Sequence, residues 1–438
     1  MKDTPIAYEK VQEAVRLCGI REIGKASIRE IKKLVDVIEE LTASRFIRME
    51  MGIPGLPPVR LGVEGQIAAL KKGVAALYPD IQGVAELKSE TSRFVKLFMD
   101  IDVSPEGCIP TVGSMQAGFV SFLTMSRIHA DRNTALFIDP GFPVHKQQHH
   151  VLQIAYETFD VYEYRGEKLR TKLEEILSKG TISYILYSNP NNPSWICFTE
   201  QELQIIGELA NKYDVIIMED LAYFGMDFRQ DYSRPGLPPF QPTVARYTNN
   251  YILFISSSKA FSYAGERIGM MVISDELFNR RFPDLKRFYP NDLLGHTIIF
   301  GSLYPLSSGT SHSAQYGLIA MLKAVNDGRF NFVEEVKEYG EKAKIMKKLF
   351  TDNGFKIVYD TDVDRPIADG FYFTYSYPGF TGVELLEKML YYGISAISLD
   401  ITGSERHEGI RACTSLIQRD QFDDLEYRLK KFHEDHPL

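Results

Sequence analysis

Tyr251-Ile252-Leu253-Phe254-Ile255-Ser256-Ser257-Ser258-Lys259 decides the fold. Five apolar residues run without alternation, then give way to three serines and a single cation. A half-exposed strand alternates apolar and polar residues, so an unbroken short run fits a strand covered on both faces. Outward from it, similar runs recur at 135–139, 184–188, 215–220 and 270–274, with amphipathic stretches between them. Thr199 and Glu202 have the spacing of a capping box and open one such helix. Apolar strands separated by helices imply a mostly parallel sheet between two helical layers.

The flanks read differently. Ser27 and Glu30 form a second capping box, followed by Ile28, Ile31, Leu34, Val35, Ile38 and Leu41 on one helical face. Met51-Gly52-Ile53-Pro54-Gly55-Leu56-Pro57-Pro58 reads as a boundary or an active-site loop. From 311 to 350 the pattern is helical, through Phe332, Val336, Tyr339, Ala343 and Met346, and strand-like and helical pieces follow at 370–377 and 421–432. The expected architecture is α/β. A large domain spans 61–325; a smaller α+β domain combines 1–60 with 326–438.

Composition narrows the function. A chain of 438 residues with net charge −8 lacks the basic balance that phosphate backbones demand, so no nucleic-acid partner is expected. Cys18, Cys108, Cys197 and Cys413 are far apart, which fits a reducing cytoplasm better than a disulfide framework. The first residues are polar and no apolar run approaches a membrane span, so neither a signal peptide nor a membrane partner is expected. His145 and His149 stand four apart, as helical metal ligands can, but no acidic third ligand is near in sequence and no metal is expected.

Ligands of open α/β sheets bind beyond the carboxyl ends of the strands. Asn192 follows the 184–188 run, Asp220 closes the 215–219 run, and Lys259 follows the quoted one. A lysine in that setting can have a depressed pKa and attack a carbonyl as a free amine.

The segment Ser256-Ser257-Ser258-Lys259-Ala260-Phe261-Ser262-Tyr263-Ala264-Gly265-Glu266-Arg267-Ile268-Gly269 resembles the signature of the class I/II aminotransferases, a family of fold type I enzymes dependent on pyridoxal 5′-phosphate (PLP). The resemblance implies that Lys259 carries PLP as a Schiff base and that Ser256 and Arg267 contact its phosphate; Ser258 is read either as a further phosphate contact or as a turn residue. Asn189-Pro190-Asn191-Asn192-Pro193 and Asp220-Leu221-Ala222-Tyr223 are similar to two further family segments. They place Asn192 and Tyr223 at the cofactor's phenolic oxygen and Asp220 at its ring nitrogen. Thr111-Val112-Gly113-Ser114-Met115 resembles the phosphate-cradling turn, and Asp139-Pro140-Gly141-Phe142-Pro143 the segment whose aromatic ring stacks on the pyridine. Tyr78 resembles the tyrosine that reaches the neighbouring subunit's phosphate in a homodimer, and Arg411, in Gly409-Ile410-Arg411, the one that grips the substrate α-carboxylate. Gly52 is read either as a turn or as a backbone contact to that carboxylate.

The implied activity is transfer of an amino group between an α-amino acid and a 2-oxo acid. A lyase or decarboxylase on the same fold is the alternative, and a PLP-sensing regulator domain a further one. The pattern departs from the family at Trp195, where glycine is usual, so the asparagine loop is expected to take another shape. Arg280, Arg281 and Arg287 are candidates for binding a side-chain carboxylate.

Overall fold

Tyr251–Ser256 lies inside a seven-stranded sheet. The computed structural model describes residues 4–437, so Met1, Lys2 and Asp3 of the polar start lie outside the described residues. The strands are β1 (Cys108–Thr111), β2 (Thr134–Asp139), β3 (Tyr156–Asp160), β4 (Ile182–Ser188), β5 (Ile216–Leu221), β6 (Tyr251–Ser256) and β7 (Gly269–Ile273). Their order is β1-β7-β6-β5-β4-β2-β3. Strands β2 to β6 run parallel, whereas β7 is antiparallel to both β6 and β1.

Every position of β4, β5, β6 and β7 is buried, which accounts for their lack of alternation. The period of two still sorts their side chains. Tyr251, Leu253 and Ile255 enter the core on one face, while Ile252 and Phe254 enter the core on the other. Each fully buried large side chain contributes about 1.5–3 kcal/mol relative to exposure. This layer is the rigid base of the molecule.

Four helices matter below: α1 (Ile28–Thr42), α2 (Gly113–Met125), α3 (Pro143–Leu152) and α4 (Glu200–Tyr213). Both capping boxes form as read from the sequence. Ser27 caps α1 and Thr199 caps α4, each in exchange with the glutamate three residues on. A separate core combines Ile31, Leu34, Val35 and Ile38 of α1 with Leu385, Met389, Leu425 and Phe432 near the other end of the chain. A four-stranded sheet, ordered Ile397–Ser398, Ile410–Cys413, Tyr372–Ser376, Lys356–Ile357, carries Arg411 and Tyr372 toward the central sheet. Among the described residues no helix is long and apolar enough to cross a membrane.

Buried polar bonds tie the edge of the central sheet to this second region. Asp160, at the end of β3, accepts from the Tyr359 hydroxyl at 2.5 Å and from the Glu405 backbone N–H at 3.0 Å. Arg165 reaches Glu202 at 2.7 Å and Asp362 at 2.8 Å, both fully buried. Removing one member of such a buried pair strands a charge, which typically costs about 3–5 kcal/mol.

Candidate active site

Parallel pairing sets the site. Ser188 of β4 stands in register with Asp220 of β5, and Asp220 with Phe254 of β6, so the ends of three adjacent strands deliver their polar residues to one edge. Beyond β6 the chain turns through the short helix Ser257–Ala260, capped by the Ser256 hydroxyl, which accepts from the Ser258 N–H at 3.1 Å. Ser257 turns the other way and donates to the Ile268 carbonyl at 2.6 Å. Lys259 is thereby held at the lip of the sheet.

Its Nζ donates to the Gly52 carbonyl at 2.7 Å and lies 5.5 Å from the centre of the Phe371 ring. Burial lowers its pKa to about 8; Arg267 and Arg411 push the same way, against Cys413 and Asp220. The result is an amine of which roughly a tenth is neutral at pH 7, far more than for an ordinary lysine.

Asp220 is buried and short of partners. Its Oδ1 accepts from the Ala222 N–H at 3.1 Å, and its Oδ2 is 3.7 Å from Nε2 of His145. His145 is itself buried, which drops its pKa to about 3 and leaves the imidazole neutral. Burial therefore raises the Asp220 carboxyl to about 7, with only Ala222 and Lys259 opposing. A carboxylate so placed fits a ligand that brings a cationic N–H.

Arg411 poses the mirror-image case. It is 1% exposed, yet among the described residues no carboxylate lies within salt-bridge distance. Its guanidinium donates to the Glu50 carbonyl at 2.6 Å and to Asn192 Oδ1 at 3.2 Å, stacks 4.5 Å over the Tyr372 ring, and leaves Nε without a partner. An unpaired buried cation beside an open fork fits an incoming carboxylate.

At the third corner, Gly113 begins α2 with φ +65°, and a Cβ there would stand 2.8 Å from Nη2 of Arg267. Ser114 Oγ, in the first turn of that helix, is buried without a hydrogen-bond partner. A helix N-terminus, an orphaned hydroxyl and an exposed arginine together make a cradle for an anion such as a phosphate. Met115 follows in the same turn, its carbonyl accepting from Gln148.

The remaining sequence-derived residues are placed as follows. The Tyr223 hydroxyl meets that of Tyr372 at 2.7 Å. Phe142 caps α3 and meets His145 edge-on at 5.4 Å. Tyr78 is 92% exposed. Arg280 is engaged bidentately by Asp214, Arg281 pairs with Asp292, and Arg287 bonds the Asp284 and His129 carbonyls, so all three have partners elsewhere. Trp195 takes φ +64°, a backbone that glycine adopts most easily, and its indole fills the space left by Gly370, where a Cβ would stand 2.0 Å from the ring. Trp195 is thus accommodated by the missing side chain of Gly370, distant in sequence but against the indole.

Tyr372 carries no sequence motif, and the sequence marks His145 only as a metal-ligand candidate beside His149. The position of His145 three residues after Phe142 already put both rings on one side of α3. His149 hydrogen-bonds Tyr184 at 2.6 Å instead. Among the described residues no cluster of three or more His, Cys, Asp or Glu could hold a metal ion.

The family description "Aminotransferase class I and II" matches residues 53–363. The chain belongs to this family. It is therefore a PLP-dependent aminotransferase, with an amino acid and a 2-oxo acid as substrates. Among curated relatives, a probable aspartate aminotransferase of Methanocaldococcus jannaschii is 25% identical over 360 residues, covering 75% of this chain and 87% of the relative. An LL-diaminopimelate aminotransferase of Halothermothrix orenii is 28% identical over 258 residues, covering 57% and 60% of the two chains. Among solved structures, the aspartate aminotransferase of Thermotoga maritima superposes with a TM-score of 0.73 at 16% identity, covering 98% of this chain and 100% of that one. The alanine aminotransferase of Pyrococcus furiosus gives 0.73 at 18% identity, over 96% and 99%. At such identities the structural likeness speaks for the fold alone.

Proposed function

We propose that this aminotransferase works through Lys259 as the amine that would hold the cofactor's aldehyde and later shuttle the substrate proton. The observation carrying this reading is a pair of buried groups that both act on Lys259 and lack a close ionic partner: among the described residues Asp220 has only the neutral His145 within salt-bridge distance, and Arg411 has no carboxylate there. When bound, PLP supplies an aldehyde and an electron-withdrawing ring.

The chain's own residues divide the remaining work. Asp220 would accept the protonated ring nitrogen, and that cation would hold the carboxylate ionised in turn. Asn192 and Tyr223 would face the phenolic oxygen, and Phe142 would cover one face of the ring. Gly113, Ser114, Met115, Ser256, Ser258 and Arg267 would bind the phosphate, joined by the partner subunit's Tyr78 in a homodimer. Arg411 and the Gly52 backbone would orient the substrate carboxylate, with Asn192 bridging to Arg411. Fixed by its carboxylate, the amino acid presents its α-carbon to Nζ of Lys259, which takes the α-proton as base and returns it as acid. The depressed pKa of Lys259 keeps the neutral form accessible for that step.

The coarse organisation follows the same reading. Residues 1–60 and 326–438 form the smaller unit and 61–325 the cofactor-binding one, a division supported by the core that both chain ends share. Four free cysteines, three of them buried, support a reducing cytoplasm as the setting.

Lys259→Ala tests the assignment. The purified variant loses the visible absorbance band of the cofactor-loaded protein and transfers no amino group to a 2-oxo acid. A variant that kept both properties would remove Lys259 from the mechanism.

A further inference from the structure

We propose that Tyr372 is a positioning residue for the reaction, holding the Tyr223 hydroxyl from behind so that its proton is directed at the cofactor's phenolic oxygen. The inference rests on the roles given above to Lys259 and Tyr223.

Tyr372 sits where the parts of the site meet. It is 2% exposed, and its hydroxyl is 2.7 Å from that of Tyr223. A Cβ on Gly52 would stand 1.9 Å from the Tyr372 oxygen, so this hydroxyl reaches its place only because residue 52 has no side chain. The same Gly52 takes the hydrogen bond of Lys259 on its carbonyl. Arg411 lies over the Tyr372 ring. Trp195 wedges against both tyrosines, with ring centres 5.3 Å from Tyr223 and 6.1 Å from Tyr372, and Phe371 closes on Tyr223 at 5.5 Å. Both phenols are buried among these rings.

In this arrangement Tyr223 donates to Tyr372. A phenol can donate and accept at once, and its proton rotates to suit its surroundings. When the Tyr223 proton is drawn to another oxygen, the lone pairs of Tyr223 are free to accept from Tyr372. Bonds linked in such a chain strengthen one another in a dry site. Without the Tyr372 hydroxyl, the Tyr223 oxygen would have no donor to polarise it. The charged and titratable groups facing the pair are Arg411 and Cys413, on Ile410–Cys413, and Lys259 beyond Gly52. None of them makes a hydrogen bond to either phenol, so the Tyr223–Tyr372 contact is the direct one.

The test is a double-mutant cycle on the PLP-loaded enzyme, read as the pH midpoint of its visible absorbance band. Y372F keeps the ring under Arg411 and removes only the hydroxyl. Its midpoint should rise by about half to one pH unit, the size of one net hydrogen bond. Y223F should raise it further, and Y223F/Y372F should match Y223F alone, because Tyr372 acts through Tyr223. Y372M, a second variant without the hydroxyl, should shift the midpoint in the same direction if Y372F does not fold. An unchanged or lowered midpoint in Y372F, or an equal rise from Y372F in the Y223F background, overturns the proposal. If the wild-type protein shows no visible band with PLP, the Lys259 reading fails instead, and the two failures are separable.

Discussion

Asp220 keeps a carboxyl group away from water with one backbone N–H and a neutral imidazole for company. Its folded pKa is raised from 3.8 to about 7, so between those values the folded protein holds a proton that the unfolded chain has released. Stability from this group is therefore greatest below pH 4, falls as pH climbs toward 7, and stays low above it. Asp220→Asn removes the charge while keeping the shape. The cofactor-free variant should be more stable than wild type at pH 8, by on the order of a few kcal/mol and hence with a higher melting temperature, the two converging near pH 4. Turnover with PLP should fall by roughly 100-fold or more, since a preorganised charge aimed at the reacting system is lost. Thermal melts at the two pH values check the first half. A variant less stable than wild type at pH 8 would show that Asp220 is already satisfied without cofactor. The gain in stability and the loss in rate are two faces of one strained residue.

At the level of elements, the start of α2 shows how much a single glycine governs. Gly113 occupies the left-handed region, where a Cβ costs about 1–2 kcal/mol, and that Cβ would also crowd Arg267. Gly113→Ala should weaken retention of PLP by about tenfold or more, the value of one charge-assisted bond, measured by spectroscopic titration of the cofactor-free protein. Unchanged affinity would mean that the cradle lies elsewhere. The strands beneath were legible in the sequence, because β4 to β7 are buried on both faces and a short unbroken apolar run between turns suits such a strand. The capped starts of α1 and α4 were legible for an equally local reason: Ser27 with Glu30, and Thr199 with Glu202, satisfy each other within one turn. The direction of β7 was not, since periodicity reports burial and says nothing of polarity. Tyr372 stayed hidden for the same reason in reverse. All of Tyr372–Ser376 is buried, so no alternation marks the one hydroxyl that meets Tyr223. The accommodation of Trp195 depends on Gly370, far along the chain, and such long-range complementarity leaves no local trace.

Across the whole molecule, the surface carries a feature that suits a paired subunit better than a solitary one. Leu77, Tyr78, Phe300, Tyr304 and Leu306 are all exposed, and the Leu77 carbonyl bonds His312, six residues beyond Leu306, while Gly309 lies against Pro79–Ile81, which brings the chain after 306 close to the Tyr78 segment. Large apolar patches on a folded chain commonly mark an interface, and a twofold dimer would cover this one with its own copy. If Tyr78 serves the partner's phosphate cradle, each active site draws on two chains. The consequence is testable without knowing the amino-acid substrate of choice. Tyr78→Ala and Lys259→Ala are each expected to be impaired, the second completely. Mixed and exchanged, the two variants form hybrid dimers in which one site has Lys259 from the first chain and Tyr78 from the second. Random pairing restores that complete site to roughly a quarter of all sites. Activity should therefore rise on mixing above the sum of the separate preparations, while light scattering reports a dimer throughout. No gain on mixing, with exchange verified by tagged subunits, would confine each active site to its own chain and leave the exposed Tyr78 without a catalytic part.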